Sequence, residues 1–148
     1  MKRITKYTLV AVVSISIGAQ LIPVERSNPA VDLDLDAPIE VKAILKRSCY
    51  DCHSNEVDWP WYSYVAPISW LVAHDVNEGR EELNFSEWNK HSSNTEMKEE
   101  IIEEIEEGKM PLPIYLITHS DAAITEKELA TLKQWAGYSG HSHGDDHE

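Results

Sequence analysis

Five consecutive residues, Cys49-Tyr50-Asp51-Cys52-His53, constrain the fold of this chain more than any other stretch. Two cysteines three apart present both sulfurs on roughly one side of a helical turn. There they can form thioethers with the two vinyl groups of a single haem. The histidine that follows the second cysteine can swing its imidazole under the iron as the proximal ligand. No other cysteine occurs in the chain, so neither has a further protein thiol to pair with. Three competing readings are weaker. A thioredoxin-like pair wants a βαβ context, and no strand-rich stretch precedes Cys49. A zinc site needs two more ligands, and although several histidines are candidates, no second Cys/His cluster stands at metal spacing ahead of the polar tail. A disulfide across two intervening residues closes too small a loop to stabilise much. One covalent haem c is therefore the expected cofactor.

The chain has 148 residues, enough for one domain with extra length at both ends. Its net charge is −13, and three of its 13 basic residues (Lys2, Arg3, Lys6) sit at the extreme N-terminus. Such a surface disfavours nucleic acid and would steer a basic partner, although acidity also serves solubility alone.

Those three cations precede an uncharged run from Tyr7 to Val24. A basic segment followed by an apolar one reads as an export element over residues 1–24, either a cleaved signal peptide or a membrane anchor. Apolar Leu21-Ile22 after the small residues Ser16 and Gly18 favour the anchor. A single transmembrane helix is thus expected, in contact with the membrane. The haem domain would then lie on the periplasmic, extracytoplasmic side of the cytoplasmic membrane. Residues 25–37, with Asn28-Pro29 and alternating Asp and Leu, read as an extended linker. Residues 38–137 would form the haem domain. A first helix over 38–48 carries Ile39, Val41, Ile44 and Leu45. The run Trp59-Pro60-Trp61-Tyr62-Ser63-Tyr64 is placed to wall the haem or to be ordinary core; its N–H and O–H groups could reach haem propionates. Pro67 is placed to open a second helix with Ile68, Leu71, Val72 and Val76 on one stripe, stopping at Gly79. Residues 84–95 read as a loop anchored by Trp88. Ser93 and Glu96 form a capping-box start for a third helix with Met97, Ile101, Ile102 and Ile105 inward, ended by Gly108. Thr125 and Glu128 open a last helix with Leu129, Leu132, Trp135 and Ala136 inward, ended by Gly137. Residues 138–148 form a polar tail with His141, His143 and His147. It is disordered by composition, with divalent-metal capture as a second reading.

The far side of the iron decides the function. Methionine makes a high-potential carrier, histidine a lower one, and an open position allows ligand binding or peroxide chemistry. Met110 lies in the proline-stiffened turn Lys109-Met110-Pro111-Leu112-Pro113 and is the expected distal ligand, with His74 and His119 as alternatives. Met97 falls on a core stripe and His91 in a polar loop.

Several longer stretches carry a resemblance. They are Arg47-Ser48-Cys49-Tyr50-Asp51-Cys52-His53-Ser54-Asn55, Trp59-Pro60-Trp61-Tyr62, Trp70 through Arg80, Leu83-Asn84-Phe85-Ser86-Glu87-Trp88 and Gly108-Lys109-Met110-Pro111-Leu112. Together they resemble the small bacterial haem-binding domain family over about residues 20–136. The resemblance implies a membrane-anchored c-type haem domain. More loosely, the order helix, C-x-x-C-H, Met-Pro turn, final helix resembles class I cytochromes c, from which the long segment Trp59–Glu107 departs. The expected fold is all-α, a small cytochrome c-like domain around one haem behind a transmembrane helix. The expected function is electron transfer to a redox protein with a basic docking surface, a carrier rather than an enzyme. A haem sensor or peroxidase-like enzyme is the first alternative. A non-redox interaction module with structural haem is the second.

Overall fold

The computed structural model describes residues 2–90 and 94–138. Among them are seven α-helices and no strand: α1 (Lys2–Gln20), α2 (Ile39–Ser48), α3 (Tyr50–His53), α4 (Ile68–Glu82), α5 (Asn94–Glu106), α6 (Pro113–Leu116) and α7 (Glu126–Ala136). The tail, His91 and the Ser93 cap lie outside the described residues.

The expected transmembrane helix is not there: among the described residues no helix is long and apolar enough to cross a membrane. That finding overturns both the anchor and the single-pass membrane placement. The uncharged run is divided by the backbone. Its helical part stops at Gln20, and Pro23 forbids continuation because the residue before a proline is pushed out of the helical region. Between Lys6 and Gln20 the helix rises only about 20 Å, against about 30 Å of hydrocarbon. Thr8, Ser14 and Ser16 interrupt even that stretch.

Residues 32–35, part of the segment expected to be an extended linker, are hydrogen-bonded to the 85–88 segment. Leu33 N–H donates to the Ser86 carbonyl (3.1 Å), Leu35 N–H donates to Phe85 (2.9 Å), and Trp88 N–H returns to Leu33 (3.0 Å). Leu33 stays exposed, so the alternation of Asp and Leu does not by itself set an inward face. Leu35 points inward and is 3% exposed. Asp34 accepts the Tyr50 hydroxyl (2.8 Å) and the Lys42 ammonium.

The core gathers Leu35, Val41, Ile44, Leu45, Tyr50, Phe85, Trp88, Ile101, Ile102 and Leu132. At its centre Phe85 stacks on Tyr50 (5.0 Å between centroids) and Trp88 (6.1 Å). α5 packs on α7, and α2 packs on both α3 and α7. The Thr125/Glu128 capping box is formed in both directions, and Gly137 ends α7 at φ 70°. An ion pair between Arg47 and Glu128 (2.6 Å) ties the end of α2 to the start of α7.

The second helix keeps Val76 of its expected stripe inward but otherwise departs from its expected face and length. α4 buries Ser69, Ala73, Val76 and Gly79, a small-residue face that packs on α3, while Ile68 and Leu71 stay exposed. Gly79 does not end the helix, which runs on to Glu82. The 109–113 turn also differs, since Pro113 opens the short helix α6.

Candidate functional site

The five-residue motif sits at a corner. Cys49 closes α2 by donating its N–H to the Leu45 carbonyl (2.8 Å). It also opens α3, because its own carbonyl accepts from Cys52 (3.1 Å) and His53 (2.9 Å). Its backbone at φ −130° and ψ −34° makes the bend between the two helices. Both thiols are free. Burial pushes each up to about 12, so both are S–H groups at neutral pH.

His53 is held by α4. Its Nδ1 lies 2.8 Å from the Gly79 carbonyl and 3.1 Å from that of Leu83. Carbonyls only accept, so Nδ1 carries the hydrogen and Nε2 keeps a lone pair. Burial lowers the pKa of the ring, outweighing the two carbonyls that favour the charged form. A neutral imidazole with an oriented Nε2 is what a metal requires. The edge of His53 rests against Phe85 at 6.5 Å.

Gly79 makes this arrangement physically accessible. A Cβ there would stand 2.8 Å from the Cys52 carbonyl oxygen, closer than side chains are tolerated. The contact lets α4 approach α3 closely enough for its carbonyls to reach His53.

Two adjoining cavities, of about 280 and 260 Å³, share the lining residues Ser48, Cys49, His53, Glu82, Met110 and Pro111. The first continues over Met97, Ile101, Ile105, Leu83 and Phe85, and the second over Cys52, Gly79, Leu112 and Tyr115. The residues present therefore fit a haem. They offer two thiols and an oriented imidazole on one side, a thioether on the same cavities, and an apolar lining between. Among the described residues no lysine or arginine lines either cavity, whereas Asp51, Asp75, Glu78, Glu82, Glu100 and Glu104 do. The Asp75 carboxyl is raised by its burial and by neighbouring Glu78, against the pull of His74.

The other candidates are elsewhere. His74 faces outward on α4, 3.3 Å from Glu78 and largely exposed. His119 stacks on Tyr115 (4.1 Å between centroids) and lines neither cavity. Met97 is partly buried against the core and reaches the first cavity as well. The aromatic run 59–64 lines neither of these cavities. Trp61 and Tyr62 instead line a separate cleft beside Cys52. The Trp59 indole N–H is buried with no hydrogen-bond partner among the described residues. Among the described residues no cluster of three or more His, Cys, Asp or Glu side chains could hold a metal ion.

Sequence reasoning missed the residue that joins the two walls. The Tyr115 hydroxyl donates to Asp51 Oδ2 at 2.7 Å. Burial and that hydrogen bond push the phenol upward, so it remains a donor. The segment that carries Met110 is thereby fastened to an intervening residue of the cysteine motif. Arg80 was likewise passed over. It donates to the carbonyls of Ser54 (2.8 Å) and Ser27 (3.1 Å), bracing the residue after His53. Nothing in local sequence signals either contact.

A family model described as a haem-binding domain matches residues 14–137. No curated protein matches the chain. No solved structure matches it.

Proposed function

The chain belongs to the haem-binding domain family, and from that premise we propose that it is a c-type electron carrier with one covalent haem. Cys49 and Cys52 would hold the haem by thioethers, His53 would bind its iron through Nε2, and Met110 would be the sixth ligand. When bound, the haem supplies an iron that takes up and releases one electron. The protein's own part is to fix the ligands and to exclude water. Gly79 and Leu83 set the His53 tautomer, Phe85 braces the ring, and Tyr115 holds the Met110 segment on α3 through Asp51.

The observation that carries this reading is the shared lining. Cys49, His53 and Met110 border both adjoining cavities, and neither His74 nor His119 borders either. A sulfur ligand filling the sixth position favours electron transfer over ligand binding.

The test is spectroscopic. The ferric holoprotein is expected to show the long-wavelength sulfur-to-iron band, and Met110→Ala is expected to lose it. A band that survives the substitution, or is absent from the parent protein, removes Met110. Ferrous protein is expected to resist carbon monoxide. Rapid stoichiometric uptake would instead favour a sensor or peroxidase-like role.

A further inference from the structure

Beside the haem cavities lies a cleft of about 360 Å³ that the ligand set leaves unused. It shares Asp51, Cys52, Asp75, Leu112 and Tyr115 with the second of those cavities, so it opens where Cys52 would hold the cofactor's edge. From residue 39 onward the exposed large hydrophobics are Ile39, Tyr64, Val65 and Trp70, together with Trp61, Ile68, Leu71, Ile114 and Ile117. The last five all line this cleft. Trp61 and Ile117 are 78% and 80% exposed. Isolated surface hydrophobics are ordinary, but a contiguous set around one opening marks an interaction surface.

The composition of α4 points the same way. The helix turns its small residues to α3 and leaves Ile68 and Leu71 outside, where they contribute nothing to the core. Charge then selects the occupant. The cleft is lined by Asp51, Asp58 and Asp75, with Glu78 on the cavity alongside, and no lysine or arginine lines it. On a chain of net charge −13 this face repels acidic partners and draws basic ones.

We propose that this cleft is the docking face for a partner protein that presents lysine and arginine side chains around an apolar centre, bringing that partner to the Cys52 edge of the haem. The inference rests on the carrier reading and adds the location and chemistry of the partner. The apolar centre supplies contact area, and the carboxylate border supplies orientation and speed of encounter. Of the four residues assigned to hold the cofactor, Cys52 borders this cleft, so a partner seated there would stand next to that attachment point.

The test uses the haem-loaded protein with a basic, lysine-ringed soluble cytochrome c as the probe, its binding read by fluorescence anisotropy. Affinity is expected to fall about tenfold between roughly 20 and 200 mM salt. Trp61→Ser and Ile117→Ser change exposed side chains, and circular dichroism verifies that their fold is kept. Each is expected to weaken binding about fivefold or more at both salt concentrations. Asp58→Asn is expected to weaken binding and to flatten its salt dependence. Glu103→Gln makes the same charge change on α5, away from the cleft, and is expected to alter affinity less than about twofold. No binding at low salt overturns the proposal. So does parental affinity in both apolar variants, or a Glu103→Gln effect equal to that of Asp58→Asn. Electron transfer to the probe is recorded separately. A protein that binds at this cleft yet passes no electron keeps the docking face and loses the carrier reading. One that passes electrons at rates untouched by the cleft variants loses the docking face alone.

Discussion

Gly79 does more for the site than any residue outside the cysteine motif, and it does so by lacking a side chain. The methyl of Gly79→Ala would meet the Cys52 carbonyl at 2.8 Å, backbone against side chain, with no flexible atom to yield. α4 must then move outward, and the hydrogen bond from His53 Nδ1 to the residue 79 carbonyl lengthens with it. The substitution is expected to cost about 1–3 kcal/mol by overpacking, measured by chemical denaturation. Parental stability in that variant would show that the contact relaxes freely. The expectation for the cysteines, His53 and Met110 came from residue type and spacing, and the structure brings Cys49, His53 and Met110 to the same two cavities. Gly79 was read only as a helix stop, and its role depends on an approach across 26 residues to His53. Tyr115 meets Asp51 across 64. Contacts of that range leave no periodic trace.

Among the elements, α2 and α7 meet through a pair whose pH dependence has a definite sign. The Arg47 guanidinium beside Glu128, helped by Thr125, lowers that carboxyl from 4.5 to about 2 against a small opposing effect of burial. A depressed carboxyl stabilises the fold fully above its unfolded value and loses that contribution as pH falls through its folded value. Glu128→Gln is therefore expected to lower stability by about 0.5–1 kcal/mol near neutral pH, a figure reduced for solvent screening of a partly exposed pair. The difference from the parent should shrink between about pH 4.5 and 2. Denaturation midpoints across that range measure it, and a gap that persists at pH 2 would assign the effect to packing. Where caps and periodicity agree, elements were readable, as in α7 with its Thr125 box and Gly137. In α4 the expected stripe holds at Val76, which is buried, and fails at Ile68 and Leu71, because close contact with α3 selects Ser69, Ala73 and Gly79.

For the molecule as a whole, the contacts of residues 32–35 with the 85–88 segment, Tyr50 and Lys42 predict a stable unit that begins before residue 38. α1 is exposed along nearly its whole length, and Gln20 bonds to the backbone of Ala66 (3.2 and 3.0 Å). A chain starting at residue 24 is expected to keep its stability within about 0.5 kcal/mol. One starting at residue 37 loses the buried Leu35 and the Asp34 contacts with Tyr50 and Lys42. It is expected to lose about 2–4 kcal/mol. Urea denaturation of the two truncated proteins tests the pair of expectations, and equal stabilities would return residues 25–36 to the status of a spacer. Alternating Asp and Leu was open to either meaning, since an edge-bound extended segment and a solvated one share a pattern until a partner is known.

The corner at Cys49 and the clasp between Asp51 and Tyr115 give the two intervening residues separate duties. Tyr50 enters the core beneath Phe85, while Asp51 holds the opposite wall. Grafted into an unrelated helical scaffold, the pentapeptide would bring its two thiols and imidazole but lose the Tyr115 contact that fastens the opposite wall. Exchanging Tyr50 and Asp51 in place would put a carboxylate under an aromatic ring and an aromatic ring where a hydrogen-bond acceptor is needed. The letters written as x in the motif are thus addresses within this fold, one in the core and one on the Tyr115 wall.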